Sequence, residues 1–234
     1  MEQGRVDAPR TSRVHGMSSS HILKRSNAGP IRRRPWVRLA ATLVGALPGL
    51  SHAAGLTVQV SDAAGVALVD AVVMLEPAAG GAPVKPMADV EISQLHKQFR
   101  PRVTLITTGT RVTFPNFDTV RHHVYSFSPI KPFELKLYAG VPNQPIVFDK
   151  PGVAVLGCNI HDNMVAWVVV ADTPWSARSA ASGRAHLDGL PSGAYQMRVW
   201  HPGMGVAAQP TTVALTLGAA DVEQAVHLPV KAEP

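Results

Sequence analysis

Glycine, proline, asparagine and aspartate cut this chain into short apolar runs, and no stretch carries a helical period of ordinary length. Residues 56–60 alternate apolar and polar side chains, and Asp62-Ala63-Ala64-Gly65 follows as a turn. Residues 66–75 read as a second strand, and the Ala-, Gly- and Pro-rich residues 78–86 as a loop. A second group of runs begins near residue 88. It alternates at 89–92 and 103–107, and it predicts strands at 111–114, 123–127, 133–138, 145–148 and 152–156. Residues 165–171 are apolar without a break, the pattern of a central strand covered on both faces. A third group holds 185–187, 195–200, 211–217 and 225–230, with a turn at Leu190-Pro191-Ser192-Gly193. Regular short strands of this kind predict an all-β fold built as a sandwich.

The net charge of +6 is concentrated at the start of the chain. Residues 1–53 hold nine Lys/Arg against Glu2 and Asp7, which leaves 13 basic and 14 acidic residues in the remainder, a net −1. Without a basic face, a nucleic-acid partner is not expected. The charged start reads instead as an export leader. Arg32-Arg33-Arg34-Pro35-Trp36-Val37-Arg38 forms the charged region, residues 39–50 the apolar region, and Ser51-His52-Ala53 the small-residue cleavage site. Arg33-Arg34-x-Trp36-Val37 also resembles a twin-arginine signal, so two export routes stay open. The apolar run is shorter than the ~20 residues that span a bilayer, and no later run is long enough, so no membrane span is expected. The expected location is the periplasm.

Export makes the cysteine count informative. Exported proteins usually pair their cysteines, but Cys158 is the only one in the chain. It is therefore a buried inert thiol, a reactive thiol or a metal ligand. Its neighbours point to the last. Cys158-Asn159-Ile160-His161-Asp162-Asn163-Met164 places a thiolate, an imidazole and a thioether three residues apart, and His122 and His123 lie upstream at the start of an apolar run. Two histidines, a cysteine and a weak axial methionine are the ligands of a blue-copper site, since thiolate and thioether suit Cu(I) and imidazole suits either oxidation state. Taken singly, each of these residues has an ordinary structural reading. The fixed spacing makes copper the expected cofactor, one ion held by Cys158, His161, Met164 and one of the two histidines His122 and His123. Structural zinc, the metallic alternative, favours several cysteines and does not favour methionine.

Val112-Thr113-Phe114-x-Asn116, then His122-His123-Val124, then Cys158-x-x-His161-x-x-Met164 resembles the cupredoxins, and the two-residue spacings look most like the amicyanin type; the wider stretch of residues 114–118, 122–128 and 157–164 also resembles the methylamine-utilisation-type plastocyanin-like proteins. The resemblance covers residues 88–172 and implies a Greek-key β-sandwich. It implies His122, Cys158 and His161 as ligands, Met164 as the axial ligand, and His161 as the electron port. His123 stands where that family commonly has a bracing asparagine.

Residues 56–73 and the later Gly183-x-x-x-Leu187-x-x-Leu190-Pro191-x-Gly193-x-Tyr195 resemble the two halves of a carboxypeptidase-regulatory-like module, a small transthyretin-like or Ig-like sandwich. The expected organisation is a leader over 1–53, a split module over 55–80 plus 175–234, and a cupredoxin domain over 88–172. Two consecutive domains are the alternative. The expected function is a single-electron carrier between periplasmic redox proteins, a dehydrogenase or a cytochrome c. It is not expected to be an enzyme or to take a small-molecule substrate. The alternatives are a copper-binding accessory or maturation protein and a metal-free interaction module.

Overall fold

In the computed structural model, residues 54–232 are described, and the leader expected over residues 1–53 lies outside them. The alternation at residues 56–60 becomes alternating burial, with Leu56, Val58 and Val60 sealed in a core and Thr57 and Gln59 partly exposed. Strands follow throughout: β1 Ala54–Asp62, β2 Val72–Pro77, β3 Val90–Glu91, β4 Ser93–Gln94, β5 Phe99–Arg100, β6 Val103–Thr107, β7 Thr110–Thr113, β8 His122–Ser126, β9 Phe133–Tyr138, β10 Ile146–Phe148, β11 Gly152–Gly157, β12 Val165–Ala171, β13 Ser176–Arg178, β14 Arg184–Leu190, β15 Gly193–Trp200, β16 Thr211–Leu217 and β17 Val222–Leu228. Among the described residues the one helical element is a 3-10 turn, Pro202–Met204, capped by the His201 side chain. The fold is all-β, as the sequence predicts. No helix among the described residues is long and apolar enough to cross a membrane.

One prediction fails locally. Residues 66–75 were expected as one strand, but β2 starts only at Val72. The Asp62 carboxylate accepts the N–H groups of Ala64 and Val66, which closes a turn there. Ala67 then makes a lone bridge to Ser61, and Asp70 sits at φ 66 before the strand begins.

The sheets separate into two groups. Strands β14-β1-β17 and β13-β2-β15-β16 enclose one apolar cluster, from Leu56 through Leu75 and again from Ala185 through Leu228. Strands β6-β12-β11-β8-β9 form a five-stranded sheet, joined by β10-β7-β3 and the β4-β5 hairpin around a second cluster. That cluster includes Phe114, Phe148, Leu156, Cys158 and Met164.

The unbroken apolar run at residues 165–171 has a structural reason. β12 lies between β11 and β6, antiparallel to the first and parallel to the second. Its residues Ala166, Val168 and Val170 enter the second cluster. Val169 and Ala171 face the other way, into a third cluster with Val72, Met74, Val103 and Trp200. From Val168 to Ala171 both faces of the strand are therefore dry, and neither can carry the polar side chains of a half-exposed strand. Arg198 adds a polar tie by bridging Glu76 on β2 and Asp172 just after β12.

Candidate metal centre

β8 and β11 are neighbours in the five-stranded sheet, paired antiparallel at Tyr125↔Gly157. That pairing brings the start of β8, where His122 stands, near Cys158, which directly follows β11. Gly157 permits the pairing to be close. A Cβ on Gly157 would meet the Tyr125 ring at 2.6 Å, inside any real contact distance, so the strands approach here only because residue 157 has no side chain. Residues 158–164 then connect β11 to β12 as a short turn. It is closed by the Met164 N–H donating to His161 O at 2.9 Å and the Val165 N–H donating to Asn163 O at 3.1 Å.

His122 Nδ1 lies 4.0 Å from Cys158 Sγ. The His122 and His161 rings are 5.0 Å apart, edge to face at 65°. The donor atoms of His122, Cys158 and His161 all fall within 4.8 Å of one another. Met164 is fully buried in the same cluster as Cys158. His161 is the most exposed of the three clustered donors.

Three observations test whether these residues suit a copper ion. Ligand atoms bonded to one ion at about 2.0–2.3 Å stand no more than about 4.6 Å apart, and the His122–Cys158 separation of 4.0 Å lies within that span. His161 Nδ1 is buried with no hydrogen-bond partner, a costly state for a polar atom that a bound cation would relieve. The donor set mixes thiolate, imidazole and thioether, which suits both oxidation states of copper. The residues fit the ion.

Around the donors is a polar frame that the sequence did not reveal. Asp118 Oδ2 lies 2.7 Å from His122 Nε2, the ring nitrogen facing away from Cys158. Desolvation pushes the Asp118 carboxyl pKa up. Hydrogen bonds from the Lys97 N–H, the His122 ring and the His96 N–H outweigh it and hold the group below its ordinary value. Asn116 donates through Nδ2 to Val120 O (2.9 Å) and Tyr138 O (3.0 Å), and its Oδ1 accepts the Asp118 N–H. Tyr138, paired with His122 across β8 and β9, donates its hydroxyl to Phe114 O at 2.5 Å. Burial pushes the Tyr138 phenol up to about 12; the Gln94 hydrogen bond opposes this, and the nearby Cys158 adds to it.

Of the two adjacent histidines, His122 joins the donor cluster and His123 does not. His123 lies on the other side of the strand. Its Nε2 sits 2.9 Å from Glu134 Oε1, an ion-pair distance without hydrogen-bond alignment. Its ring packs on Tyr125, and Tyr125 packs on Phe127. Of the remaining described histidines, His96 meets this frame only through its backbone N–H on Asp118, while His186 meets Thr57 and Asp188, His227 meets Ser61, and His201 caps the 3-10 turn. Asp118 was legible only as part of a turn, because nothing in its spacing singles out a contact with a residue four positions on.

No protein-family model and no curated protein matches the chain. Among solved structures it is similar to a copper-containing nitrite reductase from Thermus scotoductus SA-01 at 29% identity and a TM-score of 0.33, over 41% of this chain. The match spans only 25% of the reductase chain. It is also similar to a purple cupredoxin from Nitrosopumilus maritimus, at 26% identity and a TM-score of 0.32, over 35% of this chain and 99% of that one. Amicyanin from Paracoccus versutus aligns at 18% identity and a TM-score of 0.30, over 41% and 96%. The class to which the chain is similar is the cupredoxin-like β-sandwich. The chain's second core holds Cys158 and Met164, and Cys158 belongs to the His-Cys-His donor cluster.

Proposed function

We propose that His122, Cys158, His161 and Met164 hold one copper ion, and that the protein carries single electrons between periplasmic redox partners. The observation that carries this reading is the convergence of His122 Nδ1 and Cys158 Sγ beside the unpartnered His161 Nδ1. A bound copper ion would supply a one-electron couple to a thiolate–imidazole donor set. The chain supplies the rest. Buried Cys158 and Met164 exclude water from one side, and the strands on both sides of residues 158–164 fix the donors in place. His161 is the clustered donor nearest solvent, and its neighbour Ile160 is an exposed apolar residue, which suits a brief contact with a redox partner such as a dehydrogenase or a cytochrome c.

The reading includes three further parts. Residues 88–172 form the cupredoxin unit, inserted into a split sandwich of residues 55–80 and 175–234; the separate apolar clusters support this. Residues 1–53 direct export and are removed, as their charged and apolar regions indicate. In this reading the protein is a carrier and not an enzyme.

The test is to add Cu(II) to the chain beginning at Ala54 and record its visible spectrum through a cycle of reduction and reoxidation. An intense thiolate-to-copper band that bleaches and returns is the expected result. Tight, colourless Cu(I) binding with no such band would instead support an accessory role, and failure to bind copper would overturn both.

A further inference from the structure

The donor cluster is held from behind by a carboxylate that is itself immobilised. Asp118 Oδ2 meets His122 Nε2 at 2.7 Å, and His122 is completely buried. The His96 N–H donates to Asp118 Oδ1 at 2.7 Å, and the Lys97 N–H donates to Oδ2 at 2.9 Å. Those two amides can converge because His96 and Lys97 both take left-handed backbone conformations, φ 56 and 58, at the tip of the β4–β5 hairpin. Two consecutive residues in that region are unusual for side chains other than glycine. Here they turn two neighbouring N–H groups toward one acceptor. The Asp118 N–H is fixed in turn by Asn116 Oδ1 at 3.0 Å. The carboxylate thus has little rotational freedom left.

We propose that Asp118 is a positioning residue for His122: held by the hairpin tip, it fixes the imidazole in the tautomer that carries its proton on Nε2 and turns the Nδ1 lone pair toward Cys158. This inference rests on the copper reading only for its effect on the metal; the tautomer is a property of the chain alone. An ionised acceptor makes the Nε2–H bond a charge-assisted one, stronger than a bond to a neutral carbonyl. Such a partner raises the basicity of a metal-binding imidazole. A more basic imidazole and a nearby negative charge both favour Cu(II) over Cu(I), which lowers the reduction potential. The side chains of His96 and Lys97 have no part in this, because the contacts use their backbone amides.

Two measurements separate the inference from the copper reading. Long-range nitrogen–proton NMR on the metal-free protein, read where the His122 ring carries a single proton, should find that proton on Nε2 and Nδ1 bare; the opposite tautomer in the folded wild type would overturn the proposal without any copper being added. Asp118→Asn offers the hairpin amides and the ring one oxygen where they had two, and puts an N–H₂ donor in place of the other. In copper-loaded protein it should weaken Cu(II) more than Cu(I). A tenfold change in that ratio corresponds to a rise in potential of about 59 mV for one electron. A folded Asp118→Asn protein with unchanged tautomer and potential would sink the idea. Lys97→Gly, which keeps the amide and tolerates the same φ, should leave the potential within a small fraction of that change; a shift as large as that of Asp118→Asn would show that the lysine charge acts instead. If the wild type binds no copper, the metal reading fails and the tautomer result still stands or falls alone.

Discussion

Tyr125 lies over Gly157 so closely that the two residues behave as one packing unit next to Cys158. The ring occupies the space where a side chain on residue 157 would sit, and it belongs to the same strand as His122. Two of the proposed ligands are therefore located by a contact between residues that bind no metal.

Gly157→Ala should test that contact. The added Cβ must displace the Tyr125 ring, an overpacking change of about 1–3 kcal/mol. Tyr125→Ala placed in the Gly157→Ala background should return most of the loss. Thermal denaturation of the two single variants and the double variant forms the cycle. Simple additivity of the two costs would mean that the ring and residue 157 do not interfere.

Cys158→Ser should leave the fold intact and remove the metal chemistry. Serine is close in size to cysteine but offers copper a hard hydroxyl in place of a thiolate. The Cu(II) affinity should fall beyond the ~10–100-fold that follows from changing a residue behind a ligand. Far-UV circular dichroism checks the fold and a copper titration checks the affinity; wild-type affinity and an intact visible band in this variant would exclude Cys158 as the thiolate.

Trp200→Ala should reach beyond its own sheet. Trp200 is fully buried in the cluster shared with Val169 and Ala171 of β12, and its Nε1–H donates to Gly205 O at 3.0 Å. Loss of this side chain costs about 3–5 kcal/mol. Denaturant unfolding followed by Tyr and Trp fluorescence and by circular dichroism should show one lowered transition by both probes. Two separated transitions would mean that the two cores unfold independently.

Asp62 should give the protein an acid limit. The Val66 amide is the largest of several backbone N–H groups, Ala232 and Ala64 among them, that hold its carboxyl below the ordinary value. A depressed folded-state pKa means that this stabilisation is complete above the unfolded value, near pH 4, and is lost as pH falls through the folded one. Asp62→Asn should therefore be less stable than wild type at pH 7, with the gap narrowing on acidification below about pH 4. A gap that stays constant from pH 7 to pH 2 would assign the loss to packing and not to charge.

Much of this architecture was legible because it depends on local period and local chemistry. Alternation at residues 56–60 and the continuous run at 165–171 correspond to one strand with an alternating face and one covered on both sides. The Cys158–Met164 spacing marked the donor loop because three soft or borderline ligands in seven residues are rarely a packing accident. The parts that escaped notice are contacts between distant segments. No local pattern says that the amides of His96 and Lys97 end on Asp118, or that the tyrosine two residues after His123 requires a glycine at 157. The strand expected from residue 66 failed for the opposite reason: a local Asp62 turn overrode an apolar run that looked continuous.

The two-faced β12 limits how this protein can be rearranged. Domains that evolution shuffles freely keep their apolar surfaces to themselves. Here, cutting out residues 88–172 would leave Val72, Met74 and Trp200 facing water, and the excised piece would carry away Val103, Val169 and Ala171 uncovered. Across this cluster each side is the other's solvent shield, so neither can be removed without wetting apolar surface on what remains.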